Sequence, residues 1–459
     1  MEKKKSLTLD MTQGNTIKII LLFAIPIFLG NIFQHCYNMV DTIIVGHHLG
    51  DDAIASIGAT SAISSLVVGF ANGMGGGFSM IVSRYFGARE KGLMKNAVAA
   101  TMVLCILVSV LLTTVSLVFI KPFLKVLDTP ADIIDMSYSY ISIILAGIIV
   151  TMLYNTGAGL LRAIGNSKTP LLILILTCLL NIGLDIVLVI YLNMGVRGAA
   201  IATLVSQAIS AVAVFIYIYK KCPELQVSKQ DFKVAGWIYG DLLSTGISMG
   251  LMFSIVAIGT VALQKAINGL GKSYITAHTA ARKISEVYML TIGTFCNAAA
   301  TFTSQNFGAK NYRRVKDGII KSILLSWIWS SICIIVTFLA APILIELITG
   351  TSQQDVIDIA SKYLKINLPF YYVLSILLVL RSCMQSIGMR IFPLCASGIE
   401  LAGKFIVAYM LVPKMHYMGV CISEPVTWIL CSALLIIALF ISPKGRIFTL
   451  ADKEGYIEY

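Results

Sequence analysis

Apolar residues in this chain follow one another in long stretches, with only short polar interruptions. Continuous runs near 20 residues recur from Ile17 to Ile441. A helix rising 1.5 Å per residue needs about 20 apolar residues to cross a bilayer. The runs are continuous rather than alternating, which disfavours a membrane β-barrel. The pattern predicts twelve spans, at 16–46, 53–80, 96–120, 134–161, 170–192, 197–219, 237–266, 274–302, 317–348, 358–382, 392–413 and 419–441.

The pattern also repeats. Ser83–Ala88 reads SRYFGA, and Ser304–Ala309 reads SQNFGA, at an offset of 221. IGATSAI at Ile57–Ile63 matches HTAARKI at His278–Ile284 at the same offset. Ile164, Gly165 and Pro170 match Ile387, Gly388 and Pro393 at an offset of 223. The repeat is six spans long, and six is even, so the halves run in the same direction as parallel repeats. The expected fold is an all-α membrane protein of twelve transmembrane helices, in two six-helix bundles related by a parallel pseudo-two-fold repeat. The expected divisions are an N-terminal bundle at 1–220, a cytoplasmic linker at 221–240, and a C-terminal bundle with a short tail at 241–459.

Composition supports this class. Of 459 residues, 57% are hydrophobic and only 13% charged, against about 25% charged in a soluble domain. The first apolar run, Ile17 to Val45, is too long for a signal peptide core, so no cleavable leader is expected. The ten cysteines lie mostly in apolar runs without a CxxC, and read as small buried hydrophobes. The net charge of +12 is a matter of topology. Most of the 35 Lys and Arg residues lie at the N-terminus, in alternate basic loops from RYFGAREKGLMK onward, and in the tail. Positive residues stay in the cytoplasm, so both termini are expected there, in a multi-pass plasma-membrane protein. The competing reading gives these basic loops to nucleic acid or lipid headgroups.

Ionisable residues inside spans are rare and default to functional hypotheses. The clearest are Asp41, Asp185, Glu286, Glu400 and Lys404, with Arg282 and Lys283 beside Glu286. Glu286 with Arg282, and Glu400 with Lys404, stand at i,i+4 spacing, so each couple could be a structural ion pair on one helix face. Asp41 and Asp185 have no such neighbour. A charge at mid-membrane costs about 2.5–3.5 kcal/mol on insertion scales, and something must offset it. Gln34, Asn38 and Asp41 share one face of the first helix, and Asn181 and Asp185 share a face of the fifth. Asp185 lies about 21 Å along its helix from Leu171, Asp41 about 30 Å above the inner end of its span, and Thr203 about 9 Å down from the outer side, which places all three in the outer half of the N-terminal bundle. Such oxygens suit a hard cation such as Na⁺. Two acids there could equally share a proton, and the competing reading is a polar clamp between helices.

Pro26 lies inside the first helix and is expected to kink it. Gly73-Met74-Gly75-Gly76-Gly77 either loosens the second helix or serves close packing. The latter stretch lacks the Lys-Ser/Thr ending of a phosphate loop. His47, His48, Asp51 and Asp52 read as a solvated outer loop rather than a metal site. No nucleophile constellation, HExxH or dinucleotide fingerprint occurs, so no enzyme is expected.

These residues resemble a family. Pro26, Gln34, Asp41 and Gly46, in PIFLGNIFQHCYNMVDTIIVG, look like the first-helix signature of multidrug and toxic compound extrusion (MATE) transporters. RAIGNSKTP followed by NIGLD is similar to that family's loop and fifth helix, and SRYFGA and SQNFGA to its repeated loops. The resemblance covers essentially the whole chain. It implies export of organic, often cationic, compounds by antiport with H⁺ or Na⁺. It implies an N-terminal ion site at Asp41, Asn181, Asp185 and Thr203, with Asn155 the nearest match to a fourth-helix Asn, and possible Na⁺ at Asp41 and Asp185. Some members use C-terminal acids instead, for which Glu400 and Glu286 are the candidates. The coupling ion is H⁺ or Na⁺, with no other cofactor. The expected partners are small organic substrates and the bilayer, without nucleic acid, for a chain working as a monomer. A lipid-linked precursor flippase of the same superfamily, a non-transporting receptor or scaffold, and an ion channel are the rival readings.

Overall fold

The computed structural model describes residues 8–126, 129–350 and 353–445. The N-terminal lysines and the end of the basic tail, on which the expected orientation partly rests, lie outside the described residues. The first half comprises α1 (Thr16–Leu49), α2 (Asp51–Gly87), α3 (Lys91–Val126), α4 (Ile134–Ala146), α5 (Ile148–Ala163), α6 (Lys168–Asp185) and α7 (Val196–Lys221). The second comprises α8 (Gly236–Asn268), α9 (Lys272–Gly308), α10 (Tyr312–Thr349), α11 (Gln354–Asn367), α12 (Tyr371–Ser386), α13 (Ile391–Ile406), α14 (Val412–Met415) and α15 (Tyr417–Ile441). Among the described residues, ten helical rods are long and apolar enough to span a membrane, and α4 with α5, bent by 46°, makes an eleventh. The twelfth is α9, which is 37 residues long but carries Arg282, Lys283 and Glu286.

The fold is therefore all-helical, membrane-spanning and twice repeated. Backbone geometry marks the repeat independently of the residues. Arg89 (φ 59°) and Lys310 (φ 57°) both take left-handed dihedrals, at the offset of the SRYFGA and SQNFGA stretches that precede them. Gly165 (φ 85°) and Gly388 (φ 83°), matched in the sequence, do the same. A π-helical segment follows α6 at Ile186–Tyr191, and another follows α13 at Val407–Leu411. A π-turn inserts one residue and widens the helix, often at a functional site.

Chain proximity divides the described residues into two units. One holds residues 8–11 and Ile25–Ser254; the other holds Thr12–Ala24 and 255–445. The core of the first includes Phe78, Ile81, Ile141, Leu160 and Leu161. The core of the second includes Tyr363, Tyr371, Leu380 and Trp428. The outside is apolar: Leu176, Leu339 and Leu347 are exposed. Large exposed apolar patches are abnormal in water and normal against lipid.

Several local expectations change. The basic stretches expected as loops are largely helical: α2 runs to Gly87 and α9 to Gly308, leaving only short turns. Arg381, at the end of the expected span 358–382, lies inside α12 and is buried. The glycine stretch lies within α2, which is one continuous helix. It serves close packing within the first unit, where a Cβ on Gly73 or Gly77 would lie 2.7 Å from the backbone of Gly250 or Gly246 on α8. Pro26 lies inside α1, which runs as one helix from Thr16 to Leu49, and in α10 the residue that leaves helical dihedrals is Ala340, ahead of Pro342. Between α7 and α8, Ser228 and Asp231 form a capping box on a short 3₁₀ turn. The Ser228 backbone N–H and hydroxyl donate to Asp231 Oδ2 at 2.6 and 2.7 Å, and hold that carboxyl below the usual carboxylate range.

Candidate functional site

The start of α6 is fixed locally. Gly165 turns the chain in the left-handed region, and Asn166 Oδ1 accepts the Thr169 backbone N–H at 3.1 Å. From there the apolar helix carries Asn181 and Asp185 on one face. Asp185 is completely buried and Asn181 nearly so. The π-helical segment begins at the residue after Asp185.

On α1, Asp41 reaches the same place. Its carboxylate and that of Asp185 face each other within hydrogen-bonding range. With both acids ionised neither offers the other a proton, and among the described residues Asp41 Oδ1, both Asp185 oxygens, and both polar side-chain atoms of Asn181 are then buried without a hydrogen-bond partner. Tyr37 and Tyr140 flank the pair, close enough to feel both charges. The sequence pattern singles out neither tyrosine. Tyr37 is within its reach, one helical turn before Asp41, whereas Tyr140 arrives from α4 and needs the tertiary structure.

Beside the pair lies a cavity of about 180 Å³ within the first unit. Asn181, Thr203, Asn155 and Gln34 line it, together with Tyr37, and with Asn72 and Gln207, which the sequence does not suggest. Asn155 Nδ2 donates to Asn72 Oδ1 at 2.7 Å, and Thr151 Oγ1 donates to Gln207 Oε1. Asn38 is exposed, outside the set that lines the cavity. The structure thus brings Asp41 and Asp185 together, and gathers Asn181, Thr203, Asn155 and Gln34 around one polar cavity. The chemistry on offer is hard oxygen donors and a pair of acids, with no cationic side chain among their contacts in the described residues.

The C-terminal acids are arranged differently. Glu400 is held between two cations, with Arg381 Nη2 at 3.2 Å and Lys404 Nζ at 3.4 Å. Arg282 does not pair with Glu286 as its spacing suggests; its Nη1 donates to Glu424 Oε1 at 3.0 Å, and Glu286 is exposed. The other Glu424 oxygen accepts from the Tyr363 hydroxyl at 2.7 Å. Sequence reasoning misses Glu424, although an acid inside an apolar run, next to Pro425, is a legible signal.

The MatE family model matches the chain twice, over residues 26–187 and 248–410. The chain belongs to the MatE family. The starts of the two MATE matches are offset in register with the backbone repeat. Probable multidrug resistance protein YoeA of Bacillus subtilis (strain 168) is 25% identical to this MATE chain over 416 residues, covering 88% of it and 89% of YoeA. Probable multidrug resistance protein YpnP of the same organism is 27% identical over 381 residues, covering 83% and 84%. A solved structure described as an outward-facing multidrug resistance MATE family transporter of the MOP superfamily has the same fold. Its TM-score is 0.88 at 21% identity, over 99% of this chain and 100% of that one.

Proposed function

We propose that this MATE chain is a secondary active exporter. It moves organic, often cationic, compounds outward in exchange for H⁺ or Na⁺. The observation that carries the reading is the facing pair Asp41 and Asp185, with three of its four oxygens buried without a donor beside a polar cavity. Buried carboxylates left so are costly, and a cation that enters and leaves offsets the cost for part of each cycle. Occupied by the ion, the site is neutralised and favours the state that releases a cationic substrate. Empty, it favours the other. An ion gradient then drives alternating access by its unequal affinity for the two states. The named relatives, probable multidrug resistance proteins, support the substrate class. The basic stretches of the sequence support cytoplasmic termini in the plasma membrane. The unit of transport is the monomer.

The test is transport in proteoliposomes of the purified chain, loaded with a fluorescent organic cation, under an imposed pH or Na⁺ gradient. Movement driven by one gradient is expected, and names the ion. No movement under either, from folded protein, overturns antiport of organic cations.

A further inference from the structure

Helix α9 meets its surroundings differently from its neighbour α10. The outside of α10 is apolar, with Leu324, Ile328, Ile332, Leu339 and Leu347 exposed, as a lipid-facing surface requires. Beyond its first turn, α9 exposes Thr279, Lys283, Glu286, Val287 and Asn297. Four of these five are polar, and Val287 is the one large apolar side chain that α9 exposes among the described residues. Thr279, Lys283, Glu286 and Asn297 follow at intervals of four, three and eleven residues, which sets them on one helix face. Lys283 lies about 14 Å, and Glu286 about 18 Å, from the nearer end of the expected span at 1.5 Å per residue. A lysine near a helix end can snorkel to the headgroups, but a glutamate at that depth cannot. A charged face so deep in a membrane span is stable against water and costly against acyl chains. This face of α9 is therefore water-lined.

The charges of the second unit differ in their partners. Arg282 is met by Glu424, and Arg381 and Lys404 are both met by Glu400. Glu286 lies within electrostatic reach of Arg282. Lys283 is exposed, and among the described residues no carboxylate stands within salt-bridge range of its ammonium. We infer that Lys283 is a specificity-determining residue of the exporter, and that its ammonium takes an anionic group of the substrate on the water-lined face of α9. A flexible ammonium meets such a group through charge-assisted hydrogen bonds. Glu286, on the same face one turn along, offers an acceptor for the substrate's cationic part. The inference deepens the proposed function and rests on its reading that the chain exports organic compounds. It names the class as compounds that carry a carboxylate or sulfonate beside their positive charge.

The experiment measures equilibrium binding of two dyes to the full-length purified chain in detergent, with no gradient. One dye is a rhodamine with a free carboxylate. The other is its methyl ester, a cation on the same ring system. Wild type is expected to bind both. Lys283→Gln is expected to weaken the carboxylate dye about tenfold, the scale of one charge-assisted contact, and to leave the ester within about twofold. Lys283→Arg keeps the charge and is expected to hold the carboxylate dye near its wild-type Kd. Unchanged binding of the carboxylate dye by Lys283→Gln, as a lipid-facing lysine would give, overturns the proposal. An equal loss of both dyes, or a Lys283→Gln chain that does not fold, makes the lysine structural and overturns it too. So does a wild type that does not bind the carboxylate dye. Failure of antiport leaves the binding contrast in place and appears in the proteoliposome experiment instead.

Discussion

Asp41 on α1 faces Asp185 on α6, and no donor reaches three of their four carboxylate oxygens. A pair built only for stability would be hydrogen-bonded, because a buried unsatisfied polar group costs about 1–3 kcal/mol. Asp185→Asn supplies an amide donor to Asp41 and removes one charge. It is expected to raise thermal stability by about 1–3 kcal/mol, and to abolish gradient-driven efflux. Melting curves and proteoliposome transport on the same preparation check both. Wild-type transport by Asp185→Asn or by Asp41→Asn would sink the assignment.

Glu400 should behave in the opposite sense. It lies between Arg381 and Lys404, whose side chains are 5% and 6% exposed. Glu400→Gln leaves two buried cations without their carboxylate, and breaking a buried pair in this way costs about 3–5 kcal/mol. The expected result is a marked fall in melting temperature, with ion coupling intact in whatever protein stays folded. A variant of wild-type stability that has lost coupling would return Glu400 to the coupling site.

The turn between α7 and α8 gives a pH dependence with a definite sign. The folded Asp231 carboxyl titrates below its ordinary value because Ser228 donates to it twice. A depressed folded value means the capping box contributes fully above about pH 4, the ordinary aspartate range. The contribution is lost as pH falls through the folded value. Hydrogen exchange across residues 228–233, corrected for intrinsic rates, is expected to quicken only at acid pH. Asp231→Asn should show fast exchange at neutral pH already. Equal protection in the variant and the wild type at neutral pH would remove the carboxylate from the account.

Much of this is legible before any coordinates. Span length decides the class, and the recurrence of SRYFGA as SQNFGA decides the repeat. Spacing along single helices places Asn181 with Asp185 and Gln34 with Asp41, because helical periodicity decides which residues share a face. It does not decide how a helix is rotated against its neighbours. That is why spacing gives Arg282 to Glu286, on its own helix, when the carboxylate it meets comes from α15. Tyr140 is invisible for the same reason. Arg381 stands near the end of an expected span, and its spacing names no partner for it. Its partner Glu400, which makes its burial tolerable, lies on the next rod.

The glycines of α2 show the same limit, and give the sharpest contrast among neighbouring positions. A Cβ at Gly77 would stand 2.7 Å from the backbone of Gly246, which has nowhere to go. A Cβ at Gly76 would meet only the terminal methyl of Met249 at 3.3 Å, at the end of a flexible side chain. Both changes make the helix itself slightly more favourable, since alanine exceeds glycine in helix propensity by up to about 1 kcal/mol. Overpacking at a rigid contact costs about 1–3 kcal/mol, which outweighs that gain at Gly77 and is absent at Gly76. Gly77→Ala is therefore expected to lower the melting temperature, and Gly76→Ala to leave it unchanged or raise it. If the glycines served to loosen α2, both substitutions would stiffen the helix alike and shift the melting temperature in the same direction.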